Sequence, residues 1–159
     1  MSTGDRSVAP LGLRSWFISV PGWLGRFPLS IIQLAMRIGV GSVYFKAGLL
    51  KFNSPESTVA LFQSEYKVPL LDPALAAHLS TYVEIIFPVL LFLGLATRIA
   101  TLPLLGEITV IELFVYPLAW TDHLVWGSIL LFLLTRGPGA LSVDHLIDRY
   151  FLKRNQSSN

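Results

Sequence analysis

With 53% hydrophobic and only 14% charged side chains in 159 residues, and a mean hydropathy of +0.61, the chain departs from the roughly one-quarter charged composition of soluble domains. It reads as a membrane protein with one helical domain. The absence of cysteine excludes disulfides, thiolate-bound iron–sulfur clusters and thiol catalysis, and a formal net charge of +2 is too small to argue for nucleic acid.

Residues 1–12 are small and polar and read as a tail. Residues 13–28 interleave Trp16, Phe17, Trp23 and Phe27 with Arg14 and Arg26 around a Pro21-Gly22 break, the composition of a headgroup-level belt. An interfacial N-terminal arm over 1–28 is therefore expected. Residues 29–50 form the first spanning candidate, ~22 residues or ~33 Å, enough to cross ~30 Å of hydrocarbon. It carries Arg37 and Lys46 on roughly opposite faces, and Gly39, Gly41, Ala47 and Gly48 allow another helix to approach closely.

Residues 51–77 are cut by Pro55, Pro69 and Pro73 and are too polar to span. Ser54-Pro55-Glu56 resembles a helix start, predicting a short amphipathic helix to about residue 66. Spans over 78–96 and 99–120 follow, joined by the tight connection Gly94-Leu95-Ala96-Thr97-Arg98, which forces an antiparallel hairpin. A fourth span covers 123–135. Gly137-Pro138-Gly139 then breaks the helix, Ser142 and Asp144 read as a cap, and residues 146–159 form a basic tail. The predicted fold is an all-α integral membrane four-helix bundle occupying residues 29–145.

Four spans put Arg6, Arg14, Arg26, Arg98, Arg136, Arg149, Lys153 and Arg154 on one side and Lys51 and Lys67 on the other, which predicts cytoplasmic termini. Glu84, Glu107 and Glu112 lie in the hairpin, where hydrocarbon disfavours charge. Depth counting at ~1.5 Å per residue puts Arg37 and Glu107 both ~12 Å deep, and Lys46, Glu84, Glu112 and His123 near ~20–25 Å. An inner Arg37–Glu107 pair and an outer cluster are expected. Three acids against two cations leave one acid to hold a proton or a cation; equally, the charges act only as cross-links that keep the helices in register. His78 and His123, at span ends, suit interfacial hydrogen bonds better than haem or metal ligation. No nucleophile motif, phosphate loop or metal-ligand spacing is present, so no catalytic residue is assigned. Trp120 and Trp126 read as interface anchors, with stacking on a quinone headgroup the alternative.

Arg37-Ile38-Gly39 followed by Phe45, Gly48 and Lys51, then Glu84 leading to Gly94, Thr97 and Arg98, and finally Gly137, Pro138, Gly139 and Asp144, resembles the DoxX family of small four-helix bacterial membrane proteins over about residues 35–145. The resemblance implies a multi-pass inner-membrane subunit or accessory of a redox or oxidative-stress system, with a protein partner and a quinone as the conceivable cofactor. Such a chain is not catalytic alone. The roles of Lys46, Glu107 and Glu112 rest on physical argument rather than on the resemblance. A small proton or solute transporter and a non-catalytic assembly scaffold, either of them oligomeric, are the alternatives.

Overall fold

The computed structural model describes residues 27–156, with side chains described to Tyr150. Most of the expected interfacial arm lies outside the described residues. Six helices and no strands are found in this range: α1 (Leu29–Asn53), α2 (Pro55–Leu61), α3 (Pro73–Leu93), α4 (Thr97–Val110), α5 (Trp120–Arg136) and α6 (Val143–Gln156). Two single π-helical turns extend α2 and α4, over Phe62–Tyr66 and Ile111–Val115. The chain is all-α.

Local chemistry sets the helix ends. Asp72 accepts from the amides of Ala74 (3.0 Å) and Leu75 (3.1 Å), and Pro73 occupies the first helical position, so α3 starts at 73 rather than 78. Ser54 precedes Pro55 as expected, yet its side chain makes no capping bond. The Thr58 hydroxyl instead donates to the carbonyls of Lys51 (3.2 Å) and Ser54 (2.9 Å), tying α2 to the end of α1. At the hairpin, Gly94 sits at φ 66° and Ala96 at φ 46°, closing α3 and opening α4. The expected helix through residue 120 stops at Val115, because Tyr116 precedes Pro117 and residues before proline avoid the helical region.

The long helices share one apolar core of Val40 and Tyr44 from α1, Leu91 from α3, Ala100 and Leu104 from α4, and Leu130 and Leu133 from α5. A methyl group on Gly48 would lie 2.9 Å from the backbone of Glu84, so α1 and α3 meet in contact at this point. Gly41 packs against Phe92, whereas Gly39 faces open space and plays no part in the contact. A second, smaller core of Phe62, Ala76 and Ala77 seats α2 on the start of α3. Among the described residues only α3 is both long and apolar enough to cross a membrane by length and composition. Within α1 the apolar sequence is interrupted by Gln33, Arg37, Lys46 and Lys51.

Candidate functional site: a cavity with a lysine–serine–glutamate patch

A cavity of about 500 Å³ lies among the end of α1, the π turn after α2, α3 and α4. Its walls are mostly apolar, with Phe62, Val83, Phe87, Pro103, Val110 and Ile111 among them. One polar patch interrupts them. Lys51, in the last turn of α1, pairs with Glu84 Oε1 at 2.7 Å and donates to Ser80 Oγ at 2.8 Å. Ser80 in turn donates to Glu107 Oε1 at 2.6 Å. Ser80 and Glu84 are four residues apart on α3 and so share one face, which lets a single ammonium reach both. The Lys51 ammonium also stands 5.9 Å from the centre of the Phe62 ring, within cation–π range.

The patch is incompletely satisfied. Glu84 is 3% exposed, and its Oε2 and that of Glu107 are both shut from water without a hydrogen-bond partner. Two carboxylates thus share one cation directly or through one hydroxyl, an arrangement that can hold a proton or receive a donor. The π turns border the cavity through Phe62, Tyr66, Ile111 and Val115. Beside them the Tyr116 hydroxyl donates to Glu65 at 2.5 Å, and the rings of Tyr66 and Tyr116 meet edge to face with centres 5.7 Å apart. Single π turns concentrate at functional positions in helices.

The other expected charges fall elsewhere. Arg37 does not meet Glu107; it is fully buried and donates to the carbonyls of Leu91 (3.3 Å) and Leu141, with Asp144 as the opposing charge. Depth alone misassigned this pair, because the turn after α5 folds back beside α1 and supplies carbonyls at the same level. The Asp144 carboxylate caps α4 through the amides of Ala96 (2.7 Å) and Thr97 (3.1 Å), while Ser142 caps α6 by accepting from the His145 amide (3.2 Å). Gln33 donates to the Gly137 carbonyl at 3.1 Å. Gly94, Thr97, Gly137, Gly139 and Asp144, singled out by resemblance, therefore converge with Arg37 on one clasp; Pro138 lies within its turn, and Arg98 lies exposed beside Gly137.

Lys46 is exposed and outside any buried cluster, and Lys51 takes the place expected of it. The ~100° step per residue turns Lys46 to a different face from Lys51. Glu112 and His123 pair with each other at 2.5 Å beside Trp120, in a separate groove, rather than joining Glu84. His78 Nδ1 donates to the Ala74 carbonyl of its own helix at 2.6 Å. Sequence reasoning missed Ser80 and the Glu65–Tyr116 contact, although Phe62 and Tyr66 are apolar positions of the short helix expected there. Only Ser80 carried a signal, its four-residue offset from Glu84.

The model of the DoxX family matches residues 32–117, more than half of the chain. This chain belongs to the DoxX family. It is accordingly a membrane protein, and the matched region holds every polar residue of the cavity patch. Among relatives, a Bacillus subtilis (strain 168) protein named "Putative oxidoreductase CatD" is 37% identical over 84 residues, 50% of this chain and 59% of that protein. An uncharacterized protein of Haemophilus influenzae is 29% identical over 128 residues, 74% of this chain and 84% of that protein. The chain thus aligns with little more than half of the Bacillus relative. No solved structure matches.

Proposed function

We propose that this DoxX protein is a membrane-spanning four-helix bundle of α1, α3, α4 and α5 in the bacterial inner membrane, with both termini cytoplasmic and α2 outside. It serves as a membrane subunit of a redox system with a protein partner, its cavity taking the ring of a quinone. The name of the Bacillus relative supports the redox assignment, and the charge distribution supports the orientation. The observation that carries the reading is the cavity itself. A volume of about 500 Å³ lies within the usual ~300–1,000 Å³ of small-molecule sites, and the combination of apolar walls with a few convergent polar groups is what such sites need.

A quinone fits these residues: its ring suits Phe62 and Phe87, and one of its oxygens can accept from Lys51. When bound it supplies lipid-soluble two-electron carrier chemistry. The chain's own contribution is to hold the ring, exclude water and keep proton-accepting carboxylates at its polar edge. Catalysis by the chain alone is not part of the reading.

The test is titration of the purified protein in nanodiscs with a short-tailed benzoquinone, alongside copurification from the native membrane. Saturable binding that is lost on filling the cavity by Gly106→Phe, together with an oxidoreductase among the copurified proteins, is the expected result. Absence of binding and of any redox partner would overturn it.

A further inference from the structure

The hydrogen-bonding capacity left over in the patch selects among cavity ligands. Ser80 has spent its one donor on Glu107 and accepts from Lys51, so it has no proton left to give a ligand. Lys51 has three N–H donors and spends two of them, on Glu84 and Ser80. Glu107 accepts once at Oε1 and has nothing at Oε2. What remains on these cavity-lining residues is one N–H of Lys51 and the buried, unfilled Oε2 of Glu107, with Ser80 standing between them.

We infer that this cavity recognises an apolar aromatic ring through a free hydroxyl, binding phenols and the hydroquinone form in preference to the quinone. A hydroxyl accepts from Lys51 and donates to Glu107 at once, whereas a quinone or ether oxygen only accepts and leaves Glu107 Oε2 bare. A site built to pair with a hydroxyl discriminates strongly against an analogue lacking the donor, because the protein's polar group is then stranded. The preference expected here is roughly tenfold or more in Kd. Phe62 and Phe87 give the ring its apolar seat, and no other lining residue offers a carboxylate.

The inference rests on the proposed cavity reading but fails separately from it. The full chain in nanodiscs is titrated with 2,3,5-trimethylphenol, its methyl ether and trimethylbenzoquinone, with protein-free nanodiscs subtracted for lipid partition. The phenol is expected to bind at least about tenfold more tightly than the other two. In Glu107→Gln the amide turns its carbonyl to Ser80 and its N–H₂ to the cavity, so the order is expected to even out or reverse in favour of the quinone. Thermal unfolding of this isosteric variant confirms that it is folded. Equal binding of phenol and ether, tighter binding of the quinone, or a phenol preference that survives Glu107→Gln overturns the inference while the cavity reading stands. Failure of all three probes to bind overturns both.

Discussion

Arg37 and Lys51 are cations on the same helix, and they are treated in opposite ways. Arg37 is enclosed by backbone carbonyls of α3 and of the turn after α5, beside a carboxylate already committed to capping α4. Little freedom is left there. Lys51 faces two carboxylates through one direct contact and one serine, next to a cavity of about 500 Å³, with two carboxylate oxygens unfilled. Arg37 Nε also lacks a partner, yet Arg37 is wholly enclosed by protein; a buried charge so enclosed holds helices in place, and one that stands beside a void with open acceptors is available for chemistry. The difference lies in whether a cavity adjoins the cation and its unfilled partners, since both are charges within an apolar helix.

Breaking the clasp should have the largest effect. Gly94→Ala adds a methyl at φ 66°, where it would overlap Arg37 Nη1 and lie 2.6 Å from Ser142 Cβ, so both strain and overlap oppose it. Arg37→Met removes the cation and strands the Leu141 carbonyl, while the Leu91 carbonyl keeps the Gly94 amide. Each should lower stability in detergent by ~3–5 kcal/mol, read as a lowered midpoint in denaturant titration. If the two regions are independent, Arg37→Met combined with Glu107→Gln gives additive losses, and a strong coupling between them would erase the contrast drawn here.

The cavity side should respond differently. Glu84→Gln leaves the Lys51 ammonium without its carboxylate and should cost ~1–3 kcal/mol, with part of the loss restored in the Lys51→Met/Glu84→Gln double variant. Activity of the assembled redox system should fall further than stability does, because an amide keeps the shape and cannot ionise. Membrane insertion and partner copurification should be intact. Unchanged activity in both Glu84→Gln and Glu107→Gln would return the patch to a purely structural role.

Helix type and approximate position were legible because apolar runs, proline breaks and the Gly94–Arg98 connection are local signals. The clasp was half legible. The residues after α5 resembled a family pattern, but nothing local says that they return to Arg37. The cavity patch was the least legible part. Depth counting places residues along the membrane normal and says nothing about azimuth, so it paired Arg37 with Glu107 and favoured Lys46 over Lys51. Ser80 is an ordinary serine in sequence, and its importance comes only from standing between Lys51 and Glu107. Resemblance had already named Lys51, where depth argument preferred its neighbour.

A packing contrast within α1 gives a smaller effect. A methyl on Gly48 would lie 2.9 Å from the Glu84 backbone and from Ile85, while one on Gly39 would meet nothing within 4 Å. Gly48→Ala should therefore push α1 from α3 at the level of the patch and cost ~1–3 kcal/mol. Gly39→Ala should stabilise by ~0.5–1 kcal/mol through helix propensity, and equal effects at the two sites would contradict this packing.

The smallest expected effect separates the edge of the cavity from its patch. Tyr116 and Glu65 are exposed, and their 2.5 Å hydrogen bond joins the ends of two π turns that also carry Phe62 and Ile111 into the cavity wall. An exposed bond of this kind contributes little to the folded state, so Tyr116→Phe should change stability by less than ~1 kcal/mol. The ring contact with Tyr66 survives the substitution, which leaves only the hydrogen bond to lose. If this bond holds the two turns together at the edge of the cavity, its removal should speed both entry and departure of a bound phenol while leaving the preference of phenol over methyl ether unchanged, because the patch is untouched. Stopped-flow binding to nanodisc-embedded protein measures both rates. Unaltered rates would mean that ligands reach the cavity elsewhere, and a changed preference would mean that Tyr116 acts on the patch itself.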